Sequence, residues 1–307
     1  MEPFNDLSYK ELDGWFEENH SEALEVFFKS SLRQHKELSK LDFNKGARYF
    51  FEENFIPTLV GSPKETLFTG YFESEVFGSL EKDEEYKFPI YKKPLNIEKT
   101  KKWFSRREIE EENLLANQGL EIVYLKSKID LFFLHIQGSG RVLLKDGSII
   151  RVGFEGKNGH KYVSIGKILI SRGVFETNTI TQKKVKEWIF DNPEQGDELL
   201  LENPSYIFFK IISDLMDSDG PMGTMKVPLT PLRSLAVDPN FIPLGTPLWI
   251  EKNGDVPLRR LMFAHDTGSA IKGLKRADIF YGTGKKSEEL AGNVVDFGRM
   301  IILKQRK

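Results

Sequence analysis

The sequence predicts a mainly β protein with α-helical additions, in which the strands form barrels. Short apolar segments rich in aromatic and β-branched residues recur from residue 67 onward, and Gly-containing turns separate them. Many short strands with this punctuation are typical of barrels. The strand signals fall into a middle block and a terminal block, a pattern that the insertion of one domain into another would produce.

The first 60 residues are predicted to be helical. Ser21 is expected to cap one helix, because apolar residues follow it at three-to-four spacing, and Asp42 is expected to cap a second. A third helix is predicted from Ser164 to Gly173, and a fourth around 185–189 that ends before Pro193. The predicted strands cover residues 67–73, 122–125, 131–136, 149–153, 206–209, 248–250, 261–263 and 300–303.

Composition and charge exclude several classes of protein. A net charge of −2 supplies no cationic field for nucleic acid or anionic lipid. The absence of cysteine excludes disulfides, thiolate metal sites and a Cys nucleophile. No apolar run approaches the ~18 residues of a membrane span. The polar N-terminus lacks the pattern of a signal peptide, so we expect either a cytosolic protein or one whose leader has been removed.

Three aspartates near strand ends are the main candidates for chemistry. Asp266 and Asp278 stand twelve positions apart with small residues and a Gly-containing turn between them, and Asp238 follows a short apolar segment. The neighbours Ile279 and Phe280 would desolvate Asp278 and raise its pKa, which a general acid needs. The alternative is structural, because strand-end aspartates also cap turns and bond backbone amides.

Two other interpretations of the aspartates have less support. An aspartic protease needs two Asp-Thr-Gly loops that share a proton, and this chain has one, at 266–268. A metal site built from Asp238, Asp266 and Asp278 would use suitable oxygen ligands. However, no closely spaced carboxylate loop or His pair accompanies these aspartates, and the five histidines are scattered.

A second polar segment, Gln-Gly-Ser-Gly-Arg at 137–141, follows the predicted strand 131–136. It is not a phosphate-binding loop, because the glycine pattern stops there and a strand rather than a helix is predicted next. Two interpretations stay open. The segment is either a tight hairpin bend, or a site where the glycines make room for a polar ligand and the other side chains bind it. The segment 69–71, Thr-Gly-Tyr, has the same character.

Taken together, these motifs resemble the membrane-bound lytic transglycosylase A family of peptidoglycan-cleaving enzymes over most of the chain. Asp238, Asp266 and Asp278 occupy the three named positions of the family's C-terminal three-aspartate (3D) module. Two departures stand out, because His135 lies where the family commonly has Gln and residues 275–277 lengthen the loop between two of the aspartates. The other segments that carry the resemblance are 69–73, 132–142, 151–154, 158–160, 220–221, 227–230, 233–238 and 242–247.

The resemblance implies a fold of two β-domains. Residues 1–75 and 204–307 would form a double-psi β-barrel, with the 3D module at about 220–305. Residues 76–203 would form a second, inserted β-barrel. A glycan would bind in a groove between the two.

The resemblance also implies an activity. The reaction is non-hydrolytic cleavage of the β-1,4 bond between N-acetylmuramic acid and N-acetylglucosamine, which gives 1,6-anhydromuramoyl products without a metal or organic cofactor. Asp278 would be the general acid/base and Asp266 its supporting partner. The residues expected to bind substrate are Thr69, Gly70, Tyr71, Gln137, Gly138, Ser139, Gly140, Arg141, Asp238, Gly268, Ala270 and Lys272. Two alternatives stay open, a sugar-binding barrel without catalysis and a metal-dependent hydrolase built on the aspartates.

Family members are usually exported lipoproteins. The resemblance therefore implies a periplasmic, outer-membrane-associated protein of a Gram-negative bacterium, whose leader and lipid-modified Cys are absent from this chain. The expected partners are peptidoglycan glycan strands and the machinery of cell-wall synthesis or division. We expect a monomer that binds no nucleic acid.

Overall fold

The computed structural model describes residues 4–31, 46–60, 66–97, 101–177, 179–216, 219–268 and 270–306. The helices in these ranges are α1 His20–Ser31, α2 Ala47–Asn54, α3 Arg106–Glu111, α4 Lys128–Gln137, α5 Ile165–Ser171, α6 Gln182–Asp191, α7 Pro193–Leu201 and α8 Lys285–Ala291, with short 3₁₀ helices at Tyr9–Glu11 and Trp15–Glu17. The strands are β1 Phe4–Asp6, β2 Phe55–Val60, β3 Thr66–Ser79, β4 Phe88–Tyr91, β5 Glu121–Leu125, β6 Ser139–Leu144, β7 Ile149–Lys157, β8 Ile207–Ile211, β9 Ser234–Ala236, β10 Pro247–Lys252, β11 Leu258–Asp266, β12 Arg276–Thr283 and β13 Val295–Gln305.

The chain divides into two compact units. The first consists of Met1–Phe72 and Leu215–Lys307, and the second of Glu73–Asp214. The first boundary falls within β3, so this strand begins in one unit and ends in the other. The expected boundary at residue 204 assigned β8 to the first domain, but β8 pairs with β7 inside the second unit.

Six strands of the first unit close into a ring. The order of pairing is β13, β10, β11, β9, β12 and the first part of β3, which returns to β13 with Thr69 opposite Val295. Alternate side chains point inward and pack together, because successive residues of a strand face opposite sides. This interior includes Phe68, Leu235, Leu248, Met262, Ala264, Ala277, Ile279 and Met300. The mostly β barrel predicted from the strand pattern is therefore present, while its double-psi connectivity stays a prediction.

The N-terminal helices cover one outer face of this barrel. Aromatic side chains of α1 and α2, among them Phe27 and Phe51, pack against Trp249 and Phe263. Arg233 is fully buried below them and forms ion pairs with Glu18 at 3.0 Å and with Glu22 at 2.9 Å. Its guanidinium also donates to the carbonyl oxygen of Leu261 at 2.8 Å. The charge is therefore compensated where it is buried, as burial of an ion requires.

The second unit combines a sheet with a helical layer. The second part of β3 pairs in parallel with β6 and antiparallel with β5, and β6 and β7 form a hairpin. That hairpin turns at Gly147, whose φ of 85° is a conformation that favours glycine. Helices α4, α5, α6 and α7 pack around a separate apolar cluster that includes Phe132, Leu169, Val185 and Leu199.

The strand predicted at 131–136 is wrong, because these residues belong to α4. Ser127 caps this helix by accepting the N–H of Asp130 at 3.1 Å, and Gly138 ends it in the left-handed conformation. Five consecutive residues of α4, Leu131 to His135, are buried. A helix buried around most of its circumference shows no polar face, and its apolar run cannot be distinguished from that of a buried strand by periodicity.

The remaining element predictions are mostly confirmed, but the first 60 residues, which were predicted to be helical, also contain the strands β1 and β2. The other predicted strands correspond to β3, β5, β7, β8, β10, β11 and β13. Ser164 caps α5, and α6 ends at Asp191, although α7 follows from Pro193 without having been predicted. The first helix starts at His20, one residue before the expected cap, and Asp42 lies outside the described residues. Within the described part of the chain, no helix combines the length and apolar character needed to span a membrane.

Replacing Arg233 should destabilise the protein strongly. In Arg233→Leu the Glu18 carboxylate, which is 4% exposed, would stay buried without its partner, at a cost of about 3–5 kcal/mol. Urea unfolding measures this difference. Lys183→Ala, which removes a side chain that is 83% exposed, is the control and should change the free energy of unfolding by less than about 0.5 kcal/mol. Equal losses of stability in the two variants would show that the buried ion pair of Arg233 with Glu18 does not stabilise the fold.

Candidate active site

Asp266 and Asp278 lie on either side of one residue, Ala236. In the parallel pairing of β11 with β9, Asp266 is opposite Ala236, and in the antiparallel pairing of β12 with β9, Asp278 is opposite the same residue. Residues directly opposite each other in neighbouring strands point to the same face of a sheet. The two carboxylates therefore lie on one outer face of the barrel, with a methyl group between them.

A β-bulge puts Asp266 on that face. The register of β11 against β9 shifts between Ala264 and Asp266, so His265 is the extra residue. Without the bulge, Asp266 would share the inward face of Ala264, because side chains alternate with a period of two. His265 is buried, stacks on Phe263 and lies 2.9 Å from the hydroxyl of Ser234 through Nδ1. Burial lowers the pKa of His265 to about 4, so this ring is neutral near pH 7.

Asp278 is held by two residues of the same outer face. Thr69 of β3 donates its hydroxyl proton to Oδ1 of Asp278. Arg276, two positions before Asp278 on β12, donates from Nη2 to the same Thr69 oxygen at 2.7 Å. The guanidinium of Arg276 also donates to its neighbouring carbonyl oxygen at Ala277, at 2.7 Å. Among the described residues, Oδ2 of Asp278 makes no hydrogen bond.

Burial raises the pKa of Asp278 above its usual value. Removal from water disfavours the charged form, and the negative charge of Asp266 acts in the same direction. The hydrogen bond from Thr69 and the positive charge of Arg276 oppose this effect without cancelling it. Asp278 is half-buried, so it keeps some contact with solvent while it is partly desolvated. This is the environment that favours a carboxyl group able to donate a proton.

Asp266 has a different environment, with three hydrogen bonds from its surroundings. Its Oδ1 accepts the backbone N–H of Thr224 at 2.9 Å and the hydroxyl of that residue at 2.7 Å. Its Oδ2 accepts the phenol of Tyr71 at 3.2 Å. Burial and the two carboxylates raise the pKa of Tyr71 well above its usual value, so the phenol remains a neutral donor. Its ring packs against Phe280 at 5.3 Å between centroids, which fixes the direction of the hydroxyl.

Asp238 has a structural role, which corrects the substrate-binding role expected for it. The residue is 3% exposed. Its Oδ1 accepts hydrogen bonds from the backbone and side-chain nitrogens of Asn240, and its Oδ2 accepts the backbone N–H of Gly273 at 2.8 Å. The bond from Gly273 is the main reason why the pKa of Asp238 is lowered. Asp238 thus fixes the loop that joins Asp266 to Asp278.

Two of the glycines predicted to bind substrate, Gly70 and Gly140, lie against other parts of the protein and do not make room for a ligand. A Cβ atom on Gly70 would lie 2.8 Å from the Cα of Ala291 in α8 and 2.9 Å from the ring of Tyr281. A Cβ on Gly140, which is buried, would lie 2.5 Å from Leu134 and 3.0 Å from the carbonyl oxygen of Ser74. Real Cβ atoms essentially never come within 3.0 Å of such neighbours. Both glycines therefore allow close packing of the chain.

The other residues of the second unit that were predicted to bind substrate differ in their environments. Gln137 and Ser139 are half-buried, at the end of α4 and the start of β6, and Gly138 between them has a φ of 76°. The hairpin-bend interpretation is therefore wrong, because Gly138 ends a helix. Arg141 is 14% exposed and lies 3.3 Å from the buried carboxylate of Glu73, so it balances an internal charge.

Among the residues predicted to bind substrate, those in the loop between Asp266 and Asp278 are the most accessible. Ala270 and Lys272 are exposed and Gly268 is half-buried. Sequence reasoning missed two residues of the site: Thr224, which donates two hydrogen bonds to Asp266, and Arg276, which donates to the Thr69 hydroxyl beside Asp278. The position of Arg276 was detectable, because residues two apart on a strand share a face. Thr224 lies outside any strand, and no periodic signal connects it with Asp266.

A metal centre has no assembled ligand set in the described ranges. No group of three His, Asp or Glu side chains there lies close enough together to hold an ion. The carboxylate of Asp238 is instead engaged by Asn240 and Gly273, as described above.

Two family models match this chain. The model described as "MltA specific insert domain" matches residues 67–210. The model described as "3D domain" matches residues 233–304 and therefore includes Asp238, Asp266 and Asp278.

Individual proteins are similar over most of the chain. The membrane-bound lytic murein transglycosylase A of Vibrio cholerae serotype O1 is 36% identical over 249 residues, which cover 76% of this chain. The chain spans 64% of the length of that relative and 65% of the Escherichia coli K12 protein with the same name.

Solved structures are similar over almost the whole chain. A membrane-bound lytic murein transglycosylase from Agrobacterium tumefaciens has a TM-score of 0.87 and 31% identity, and the match covers 99% of this chain and 98% of that one. E. coli MltA with bound chitohexaose has a TM-score of 0.78 and 27% identity, and the match covers 100% and 95% of the two chains.

A methyl group at Gly140 should destabilise the second unit. Gly140→Ala would force the buried Leu134 or the backbone at Ser74 to move, and overpacking of this kind costs about 1–3 kcal/mol. Gly166→Ala in α5 is the matched control, because its new Cβ would have its nearest contact at an ordinary 3.4 Å. Thermal melting should show a loss for the first variant and none for the second. Unchanged melting of Gly140→Ala would instead indicate that space is available there.

Asp278→Asn should stabilise the protein near neutral pH. Because the folded state raises the pKa of Asp278, the ionised carboxyl weakens folding above that raised pKa, and the effect disappears below the unfolded value of about 3.9. The stability advantage of the Asn variant should therefore grow as the pH rises through this window. Urea unfolding of both proteins between pH 3 and pH 8 measures it. A variant less stable than the original at pH 7 would show that burial does not penalise this carboxylate.

Proposed function

The chain belongs to the membrane-bound lytic murein transglycosylase A family, and on that premise we propose that it is a peptidoglycan lytic transglycosylase. Its substrate would be the β-1,4 bond between N-acetylmuramic acid and N-acetylglucosamine. The names of the relatives and the match to the 3D domain support this reaction. The observation that carries the assignment of the site is the pair of unlike carboxylates around Ala236.

In this proposal Asp278 is the general acid and then the general base. Its raised pKa favours the protonated form that the first step needs. Asp266 accepts three hydrogen bonds, whereas Asp278 accepts one among the described residues. Two carboxyl groups whose environments differ in this way can divide acid and anion roles between them. Asp266 thereby supports Asp278, both by its charge and by ordering Thr224 and Tyr71.

The proposed reaction needs one acid/base because the nucleophile belongs to the substrate. Asp278 transfers its proton to the glycosidic oxygen, and the bond from that oxygen to C1 of the muramoyl residue breaks. The C6 hydroxyl of the same residue bonds to C1 and gives its proton to the Asp278 carboxylate. The products are a free 4-hydroxyl and a 1,6-anhydro ring, and Asp278 is protonated again. Holding the C6 hydroxyl near C1 supplies the high effective concentration that this step requires.

Tyr71 and the accessible residues of the loop between Asp266 and Asp278 are the proposed substrate contacts of the first unit. Lys272 and Ala270 are exposed on the loop that Asp238 fixes, and Tyr71 presents a half-buried ring beside Asp266. In the second unit, Gln137 and Ser139 keep polar side chains that are half-buried, and we propose that they bind hydroxyl or N-acetyl groups. Such groups suit sugar recognition because amides and hydroxyls both donate and accept hydrogen bonds.

We further propose the domain identities and the location implied by the family. The six-stranded ring of the first unit supports its assignment as the double-psi β-barrel, and the second unit is assigned as the inserted β-barrel domain. The expression "membrane-bound" in the names of the relatives supports a periplasmic, outer-membrane-associated protein. Peptidoglycan glycan strands are its proposed partners, and a bound chitohexaose in a similar structure supports recognition of a β-1,4-linked glycan.

Asp278→Asn should abolish cleavage while the protein stays folded. Asn keeps the size of the side chain but cannot supply the proton, and loss of a general acid lowers the rate by roughly 10²–10⁴-fold. Mass spectrometry of muropeptides released from purified sacculi measures the reaction, because an anhydro product is one water lighter than a hydrolytic one. Asp255→Asn, at an exposed aspartate of the same unit, is the control and should keep the original rate.

Each other product pattern would contradict the proposal in a defined way. Hydrolytic products would make the protein a hydrolase, and binding of sacculi without cleavage would make it a binding protein. Turnover by Asp278→Asn at the original rate would remove the acid/base role from this residue.

The same assay after exhaustive EDTA treatment should give an unchanged rate, because the proposed reaction uses no metal ion. Activity that returns only with Mg²⁺, Ca²⁺ or Zn²⁺ would indicate a metal-dependent reaction.

A further inference from the structure

The hydroxyl of Thr69 lies between a group that can only donate and a group that can accept. Arg276 Nη2 is 2.7 Å from Thr69 Oγ1, and the same oxygen contacts Oδ1 of Asp278. A guanidinium has no acceptor atom and keeps its protons at any pH used with proteins. The lone pair of Thr69 that faces Arg276 is therefore occupied. The single hydroxyl proton points to Asp278, because a proton turned toward Arg276 would meet another proton.

We propose that Arg276 is a positioning residue that, through Thr69, reserves Oδ1 of Asp278 as a hydrogen-bond acceptor and leaves Oδ2 as the atom that carries the transferable proton. This inference rests on the acid/base role proposed above. A proton on Oδ1 would face the Thr69 proton directly. Oδ2 makes no hydrogen bond with the described residues, so a proton there can be given to a substrate.

Without Arg276, the Thr69 hydroxyl could rotate. It could then accept a proton carried on Oδ1, and the neutral acid would hold its proton toward the protein instead of toward the substrate. The position of Arg276 is itself fixed, because Nη1 donates to the carbonyl oxygen of Ala277 at 2.7 Å and approaches that of Leu67 at 3.5 Å. The side chain therefore remains beside Thr69.

Thr69 also stabilises the carboxylate that remains after proton transfer. A hydrogen bond to a charged acceptor is stronger than one to a neutral acceptor, so it gains strength as Asp278 loses its proton. The charged and titratable groups around Asp278 are Arg276 on β12, Asp266 on β11, and the phenols Tyr71 on β3 and Tyr281 on β12. The pKa of Tyr281 is raised to about 12 and that of Tyr71 is raised well above its usual value. Neither phenol titrates near pH 7, and loss of the Asp278 proton governs the alkaline side of the rate profile.

Four variants test the arrangement: Thr69→Val, Thr69→Ser, Arg276→Met and the double variant Thr69→Val/Arg276→Met. The pH dependence of kcat/KM for release of anhydro-muropeptides is measured for each. Thr69→Val should lower kcat/KM by about tenfold or more, in line with loss of a hydrogen bond to a charged group. Its alkaline limb should move to higher pH, because the Thr69 bond lowers the pKa of Asp278. Thr69→Ser keeps the hydroxyl and should recover most of the loss and the original limb.

The double variant distinguishes action through Thr69 from action by charge alone. Arg276→Met should slow the original protein about as much as Thr69→Val does. In the Thr69→Val background, the same change should lower the rate by less than about threefold, because there is no hydroxyl left to orient. The proposal would be overturned if the loss of kcat/KM in the double variant equalled the product of the losses in the two single variants. It would also be overturned if Thr69→Val left the alkaline limb of the pH profile of kcat/KM unmoved. If Arg276→Met does not fold, the comparison of Val with Ser at position 69 still tests whether Oδ1 of Asp278 acts as the acceptor of the Thr69 hydrogen bond.

A second measurement does not depend on activity. The pKa of Asp278 follows from the pH dependence of the stability difference between each protein and its Asp278→Asn counterpart. Removing the Thr69 hydroxyl should raise this pKa, and Thr69→Ser should restore it. An unchanged pKa would overturn the inference even if sacculi are cleaved. A raised pKa in a protein that gives no anhydro product would support the hydrogen-bond arrangement and refute the proposed function.

Discussion

The arrangement of the two carboxylates depends on the β-bulge at His265. The alternation of side chains along β11 would put Asp266 in the barrel interior beside Ala264, where Met262 and Ile279 fill the space. The extra residue reverses this direction and puts Asp266 opposite Ala236, across from Asp278. The bulge is stabilised by the buried His265 ring, which stacks on Phe263 and contacts Ser234. A packing interaction beneath the N-terminal helices therefore determines where a carboxylate lies on the outer face.

The two carboxylates differ because their neighbours differ. Asp266 accepts two bonds from Thr224 and one from Tyr71, so its charge is solvated by the protein. Among the residues that the structure describes, Asp278 accepts one bond, from Thr69, and burial is the largest influence on its pKa. The same side chain can thus serve as a proton donor or as a fixed anion, depending on the number of donors around it. That difference, more than the presence of two aspartates, supports the proposed reaction.

Desolvating Asp278 costs stability, and the barrel offsets this cost elsewhere. Inward side chains from all six strands form a continuous apolar core. Close packing also brings elements together around the carboxyl, as at Gly70, which lets β3 approach Ala291 of α8. The position of β3 in turn puts Thr69 against Asp278 and Tyr71 against Asp266. A strained or desolvated site of this kind persists because the surrounding structure determines its position many times over.

The sequence by itself determined the mostly β barrel, the strand ends that carry Asp266 and Asp278, and the family resemblance, because alternation, turn residues and motifs are local properties of the chain. Only the tertiary structure decided that Asp238 fixes a loop, that Gly140 packs against Leu134, and that Thr224 reaches Asp266. The helix at 128–137 was missed because burial around its circumference removed the polar face that periodicity needs. Hydrogen bonds between distant segments and the shift of register at a bulge depend on which strands become neighbours, and a linear pattern does not contain that information.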